Sequence, residues 1–143
     1  MNLLNYTTKV SYTNTVAQIQ KLLSEFGAKT VAVDYTNNKP TGLRFSLMHE
    51  SKTVVFFLPT DYKAVHKILQ AKGKTKAQQT EEHALRVAWR IRKTWIEAQL
   101  SLVQIDMANI IEVFLPYAEL ATGVTFWHSL EMKGLKQLES PNL

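Results

Sequence analysis

The chain of 143 residues has no cysteine, only five glycines and four prolines. The missing thiols exclude disulfides, cysteine nucleophiles and thiolate metal sites, and they fit a reducing compartment. So little glycine and proline beside 45% hydrophobic residues argues against extended disorder. No apolar run approaches the roughly 20 residues that span a bilayer. The opening M-N-L-L-N-Y-T-T lacks the charged and apolar regions of a secretion signal. A soluble, intracellular protein is expected.

Chemical signatures are also missing. His49, His66, His83 and His128 are scattered without metal-ligand spacing, Ser129 sits in no G-x-S-x-G elbow, and neither phosphate-binding glycine motif occurs. A pair such as Asp34 and His49 would become an acid–base site only if folding united them, and nothing in the sequence selects it. No catalytic residue, metal or cofactor is therefore assigned, and the chain is expected not to be an enzyme.

Charge is plentiful and unevenly placed. The net charge is +5, and Lys63, Lys67, Lys72, Lys74, Lys76, Arg86, Arg90, Arg92 and Lys93 fall within one stretch that holds only Glu81 and Glu82 as acids. From residue 94 onward Glu97, Asp106, Glu112, Glu119, Glu131 and Glu139 face only Lys133 and Lys136. Such a division lets one part of the chain pair with another, within or between subunits.

Periodicity gives the elements. Tyr6 to Tyr12 alternates and is rich in β-branched and aromatic residues, which predicts a strand. Asn14 or Thr15 then caps a helix carrying Val16, Ile19, Leu22, Leu23 and Phe26, stopped by Gly27. Strands are predicted at Thr30–Thr36, at Leu43–Leu47 after a turn through Asn37, Asn38, Lys39, Pro40 and Gly42, and at Thr53–Leu58 after a turn at 49–52. The last is apolar on both faces and reads as a central strand. Thr60 caps a short helix to Leu69, and a polar, basic connector at 71–79 is expected to be mobile until bound.

A single long helix is predicted over 80–117, with Thr80 as its cap and Glu81 and Glu82 favouring its positive end. Ala84, Ala88, Ile91, Trp95, Ala98, Leu102 and Ile105 form a stripe for a core or partner helix. Trp95 reads as core, whereas Trp89 lies off the stripe. Arg86, Arg90 and Lys93 share another face, joined sideways by Arg92. Glu82–Arg86 and Lys93–Glu97 have the spacing of surface ion pairs, so this face reads either as a solvated surface or as a ligand surface. Arginine forks bind phosphate and aromatic faces stack on bases, which makes Arg44, Arg86, Trp89, Arg90 and Lys93 the candidate ligand residues, provided Arg44 meets the helix across the sheet.

The order β-α-β-β-β-α-α predicts an α+β fold with a mainly antiparallel sheet and a long C-terminal helix. One domain is expected over 1–143: a sheet-containing part at 1–70, the connector, the helix, and a tail at 118–143 whose apolar residues pack on the sheet or a neighbour and whose end, 139–143, frays. Leu85, Ile96, Leu100, Val103, Met107 and Ile110 extend the apolar surface beyond one stripe, so a homo-oligomer is expected.

The opening N-Y-T-T-K-V, the P-T-G-L-R-F-S segment, the F-L-P of 57–59, the block A-L-R-V-A-W-R-I-R-K-T-W-I-E-A-Q-L-S-L-V and the ending E-V-F-L-P-Y resemble a family of small proteins without assigned activity, encoded by phages and prophages of low-GC Gram-positive bacteria. The likeness covers most of residues 5–117. It implies a phage setting and the host cytoplasm, and it carries over no site residues. In that setting the leading expectation is an anti-defence protein that sequesters a cyclic nucleotide or cyclic ADP-ribose type signal without turnover. The rivals are a nucleic-acid-binding accessory protein using Lys72, Lys74, Lys76, Arg86, Arg90 and Lys93, and a protein inhibitor of a host defence enzyme using the apolar tail and acidic C-terminal third.

Overall fold

In the computed structural model, which describes residues 1–141, the first helix begins at a serine. Ser11 accepts a hydrogen bond from the Asn14 amide and starts α1, Tyr12–Glu25. The cap is thus three residues earlier than expected, and the predicted strand at Tyr6–Tyr12 is absent. Asn5 takes a left-handed conformation (φ 62°) and folds Leu3–Thr8 into consecutive turns. Alternation alone did not make a strand, because the turn and the cap consume the backbone groups that a strand partner needs. The apolar stripe of α1 is as expected: Val16, Ile19 and Leu23 are buried, Leu22 and Phe26 partly so.

Three antiparallel strands follow in spatial order β1 (Thr30–Thr36), β2 (Lys39–His49), β3 (Lys52–Pro59). Both hairpins turn on two left-handed residues, Asn37–Asn38 and Glu50–Ser51, the loop geometry that matches strand twist. The first turn is therefore shorter than predicted, and Lys39, Pro40 and Gly42 belong to β2. At Gly42 a β-carbon would lie 2.7 Å from the Phe57 ring, so the bare backbone admits that ring. The central strand is β2, not β3. The outer face of β3 is apolar for another reason: the Arg44 guanidinium lies 4.3 Å from the Phe57 ring centre, and Ala118 bridges to Phe56 at the strand's free edge.

Leu43, Phe45, Leu47, Phe56 and Leu58 form the buried face of the sheet, against which α1 and the long helix pack. Asp61, not Thr60, caps α2, Tyr62–Lys72, by accepting from the Lys63 and Ala64 amides. The connector ends in a single 3-10 turn, Ala77–Gln79, and is tied to itself by Gln79 to the Gly73 carbonyl (2.8 Å) and Lys74 N to Gln78 (3.0 Å).

Thr80 caps α3, Glu81–Gln104, as expected. The helix is shorter than predicted: Asp106 turns left-handed (φ 58°), and Asn109 opens α4, Ile110–Phe114, with a reciprocal capping box to Glu112. A 3-10 turn, Leu115–Tyr117, leads to the small β4–β5 hairpin (Glu119–Ala121, Val124–Thr125) and α5, Phe126–Met132. The observed arrangement is thus α+β with a three-stranded and a two-stranded sheet and, among the described residues, five α-helices. Positions 142 and 143 of the tail end expected to fray lie outside the described residues.

The predicted stripe of α3 is buried at Ala84 and Ala88 and in part at Ile91 and Trp95, and none of its residues beyond these is fully buried. Leu85, Trp89, Ile96 and Leu100 face the main core, and Ala84 and Val87 pack with Leu69 of α2. Ala98 and Ile105 are exposed. A second stripe carrying the larger side chains is buried beside the predicted one and removes more apolar area from water.

Candidate functional site

The five candidate ligand residues do not converge. Arg44 stands on the outer face of β2, ion-paired to Asp34 and, at 3.0 Å, to Glu119. Burial opposes its charge, but hydrogen bonds to the two carboxylates win and raise its pKa. Trp89 is fully buried, its indole N–H donating to the Pro40 carbonyl (3.1 Å), and offers no face to a ligand. Arg86 pairs with Glu82 (3.1 Å) and Lys93 with Glu97 (2.5 Å), although the Lys93 side chain is only 14% exposed and the Arg86 Nε is buried without a partner. Arg90 has neutral partners only, Gln18 at 2.7 Å and Thr15 at 3.4 Å. With Lys93 and Lys21 it lines an open groove of about 340 Å³ between α1 and α3. Asp34 and His49 lie toward opposite ends of the β1–β2 hairpin, so they form no acid–base pair.

A better-formed cleft lies on the other side of α3. It holds about 310 Å³ and is lined by Thr60, Asp61, Val65, Ala88, Ile91, Arg92, Trp95 and Tyr117. Arg92 donates to the Pro59 carbonyl, and its guanidinium carbon stands 5.2 Å from the Trp95 ring centre and 5.9 Å from that of Tyr117. Among the described residues it forms no ion pair with a carboxylate. Burial lowers its pKa, with Tyr117 working against the shift, yet an arginine keeps its charge at neutral pH. The result is a half-buried, unneutralised cation beside two aromatic rings.

Those rings are held by the core. Phe45 and Phe56 stack at 5.1 Å, Phe114 meets Phe45 edge-on at 5.1 Å, Trp95 meets Phe114 at 5.7 Å, and Tyr117 meets Trp95 at 5.5 Å. An aromatic chain thus runs from the sheet to the cleft wall, with edge-to-face geometry that fixes ring orientation. The hydroxyl of Thr60 is buried without a partner in the same wall, where a water or ligand group would relieve a cost of about 1–3 kcal/mol. A second cavity of about 260 Å³, lined by Thr36, Asn37, Thr41, Tyr62 and Lys63, shares Pro59's neighbours Thr60 and Asp61 with the first.

Sequence reading missed this site because it grouped cations by helix face. A usable signal was present: Arg86 and Lys93 each have an acid four residues away, whereas Arg92 has Ala88 and Ile96 there and Trp95 one turn on. Among the described residues no group of three or more His, Asp or Glu is placed to hold a metal ion, and no helix is long and apolar enough to cross a membrane. No family model, curated protein or solved structure matches this chain, so the geometry stands without a relative to interpret it.

Proposed function

We propose that the protein binds a small anionic, nucleotide-like ligand in the Arg92 cleft and holds it without turnover, as an anti-defence protein that sequesters a nucleotide-derived signal would. The single observation that carries this reading is Arg92, a charged fork with no carboxylate partner, flanked by Trp95 and Tyr117. A phosphate would neutralise the guanidinium through paired hydrogen bonds, and a base would stack on an aromatic wall. The cavity lies at the lower end of the range for small-molecule sites. The phage setting implied by the sequence resemblance supplies the biological role, and the host cytoplasm belongs to the same proposal.

A second reading rests on Arg90, whose partners among the described residues are neutral and whose groove also holds Lys21 and Lys93, with Glu25 as its one acid. It would favour an extended polyanion, as a nucleic-acid-binding role requires. A thermal-shift panel of cyclic dinucleotides, ADP-ribose, cyclic ADP-ribose, DNA and RNA separates the two. A ligand at about 100 times its dissociation constant adds about 2.7 kcal/mol of stability. In the Arg92 reading, Arg92→Gln abolishes the shift and Arg90→Ala leaves it; the reverse pattern, or a response to DNA and RNA alone, defeats it.

We further propose that copies of the chain associate through the end of α3 and the turn that follows it, where Ala98, Ile105 and Met107 are exposed.

A further inference from the structure

Asp61 is an exposed residue that lines both cavities, and one of its carboxylate oxygens carries a helix cap while the other faces no protein donor among the described residues. Oδ1 accepts from both the Lys63 amide (3.0 Å) and the Ala64 amide (3.1 Å), which caps the eleven-residue α2. Among the described residues Oδ2 accepts no hydrogen bond, and Asp61 joins no ion pair, although Arg92 lines the same cavity. The cleft is therefore dipolar, with a free cation at Arg92 and a free carboxylate oxygen at Asp61.

That polarity restricts the ligand. A group that is anionic throughout would meet repulsion at Asp61, and the α2 amides that would otherwise receive it already serve the Asp61 cap. A ligand with an anion at one end and neutral donors at the other satisfies both ends. The free oxygen has lone pairs for two donors, which suits two neighbouring hydroxyls; a carboxylate on the ribose hydroxyls is the usual device where proteins read that sugar. Resting on the nucleotide-binding reading of the Arg92 cleft, we infer that the ligand carries a free vicinal ribose diol and that Asp61 reads it. ADP-ribose derivatives keep such diols, whereas a cyclic dinucleotide linked through its 3′ oxygens has one hydroxyl left on each ribose. The second cavity, which adjoins at Thr60 and Asp61, gives a second ribose and phosphate room beside Lys63.

Titration calorimetry with ADP and 2′,3′-dideoxy-ADP tests this without any variant: wild type is expected to bind ADP at least about tenfold more tightly. Asp61→Asn keeps an oxygen for the helix cap, and asparagine caps as well as aspartate, but it presents a donor where the diol needs an acceptor. It is expected to melt near wild type and to bind the two nucleotides within about twofold of each other. Equal binding of both by wild type, a preference that survives in Asp61→Asn, or tighter binding of cyclic di-GMP than of ADP-ribose overturns the diol inference. In those cases Arg92→Gln still weakens binding if the cleft reading is right. Binding of neither nucleotide by wild type, or binding that Arg92→Gln leaves unchanged, overturns both.

Discussion

The cations of this protein divide by whether a carboxylate already holds them. Among the four arginines Arg44 and Arg86 are paired, as are Lys39 and Lys93, whereas among the described residues Arg90 and Arg92, like the remaining lysines, meet no carboxylate. Where such pairs are exposed, solvent screening leaves them little effect on stability, but the one between Lys39 and Glu81 gives a pH dependence. Hydrogen bonds from Lys39 and then Tyr62 hold the Glu81 carboxyl below its ordinary pKa, against a smaller opposing effect of burial. A lowered folded-state pKa means that the unfolded chain binds the proton first. The Glu81 contribution is therefore complete above the unfolded carboxylate pKa, about 4.3, and is lost as pH falls through the lower folded value. Denaturation of wild type and Glu81→Gln is expected to show a stability difference near neutral pH that narrows progressively below about pH 4. A difference that stays constant down to strongly acid solution would show that the Lys39 contact does not persist.

At the scale of elements, α3 shows what patterning can and cannot decide. The helix, its Thr80 cap, both hairpin turns and the stripe of α1 were legible, because capping chemistry and period are local. The choice of buried stripe was not. Ala84 and Ala88 are buried as their stripe predicts and Ala98 is not, while Leu85, Trp89, Ile96 and Leu100 are buried along the whole helix, and only the sheet and α2 determine where burial falls. Trp89, read as lying off the stripe, is fully buried, and Trp95 packs on the core as expected but only in part; the cleft escaped notice because it needs Tyr117 from beyond the helix end. Trp89→Ala is expected to cost about 3–5 kcal/mol as a buried large-to-small change. Trp95→Ala, at a partly buried position, should cost less, about 1–2 kcal/mol, while weakening ligand binding at least about fivefold. Chemical denaturation and calorimetry read the two effects separately; equal stability losses would contradict the placement of the two rings.

At the scale of the whole molecule Ile105, Met107, Leu120 and Met132 are 62%, 71%, 59% and 77% exposed, and the proposed association would cover part of that surface. Light scattering at micromolar concentration is expected to find an oligomer, and Ala98→Glu, at an exposed position, should weaken it without unfolding the chain. A monomer at that concentration would remove the assembly proposal and leave the cleft untouched. The central claim is narrower, that an anionic nucleotide enters between Arg92, Trp95 and Tyr117. Isotope-labelled protein titrated with ADP-ribose and followed by proton–nitrogen correlation spectra tests it most directly. The expected result is saturable movement of the Trp95 indole and Arg92 side-chain signals while those of Trp127 and the Gln18 amide stay in place. No movement at saturating nucleotide, or movement confined to Gln18 and Arg90, would contradict the account.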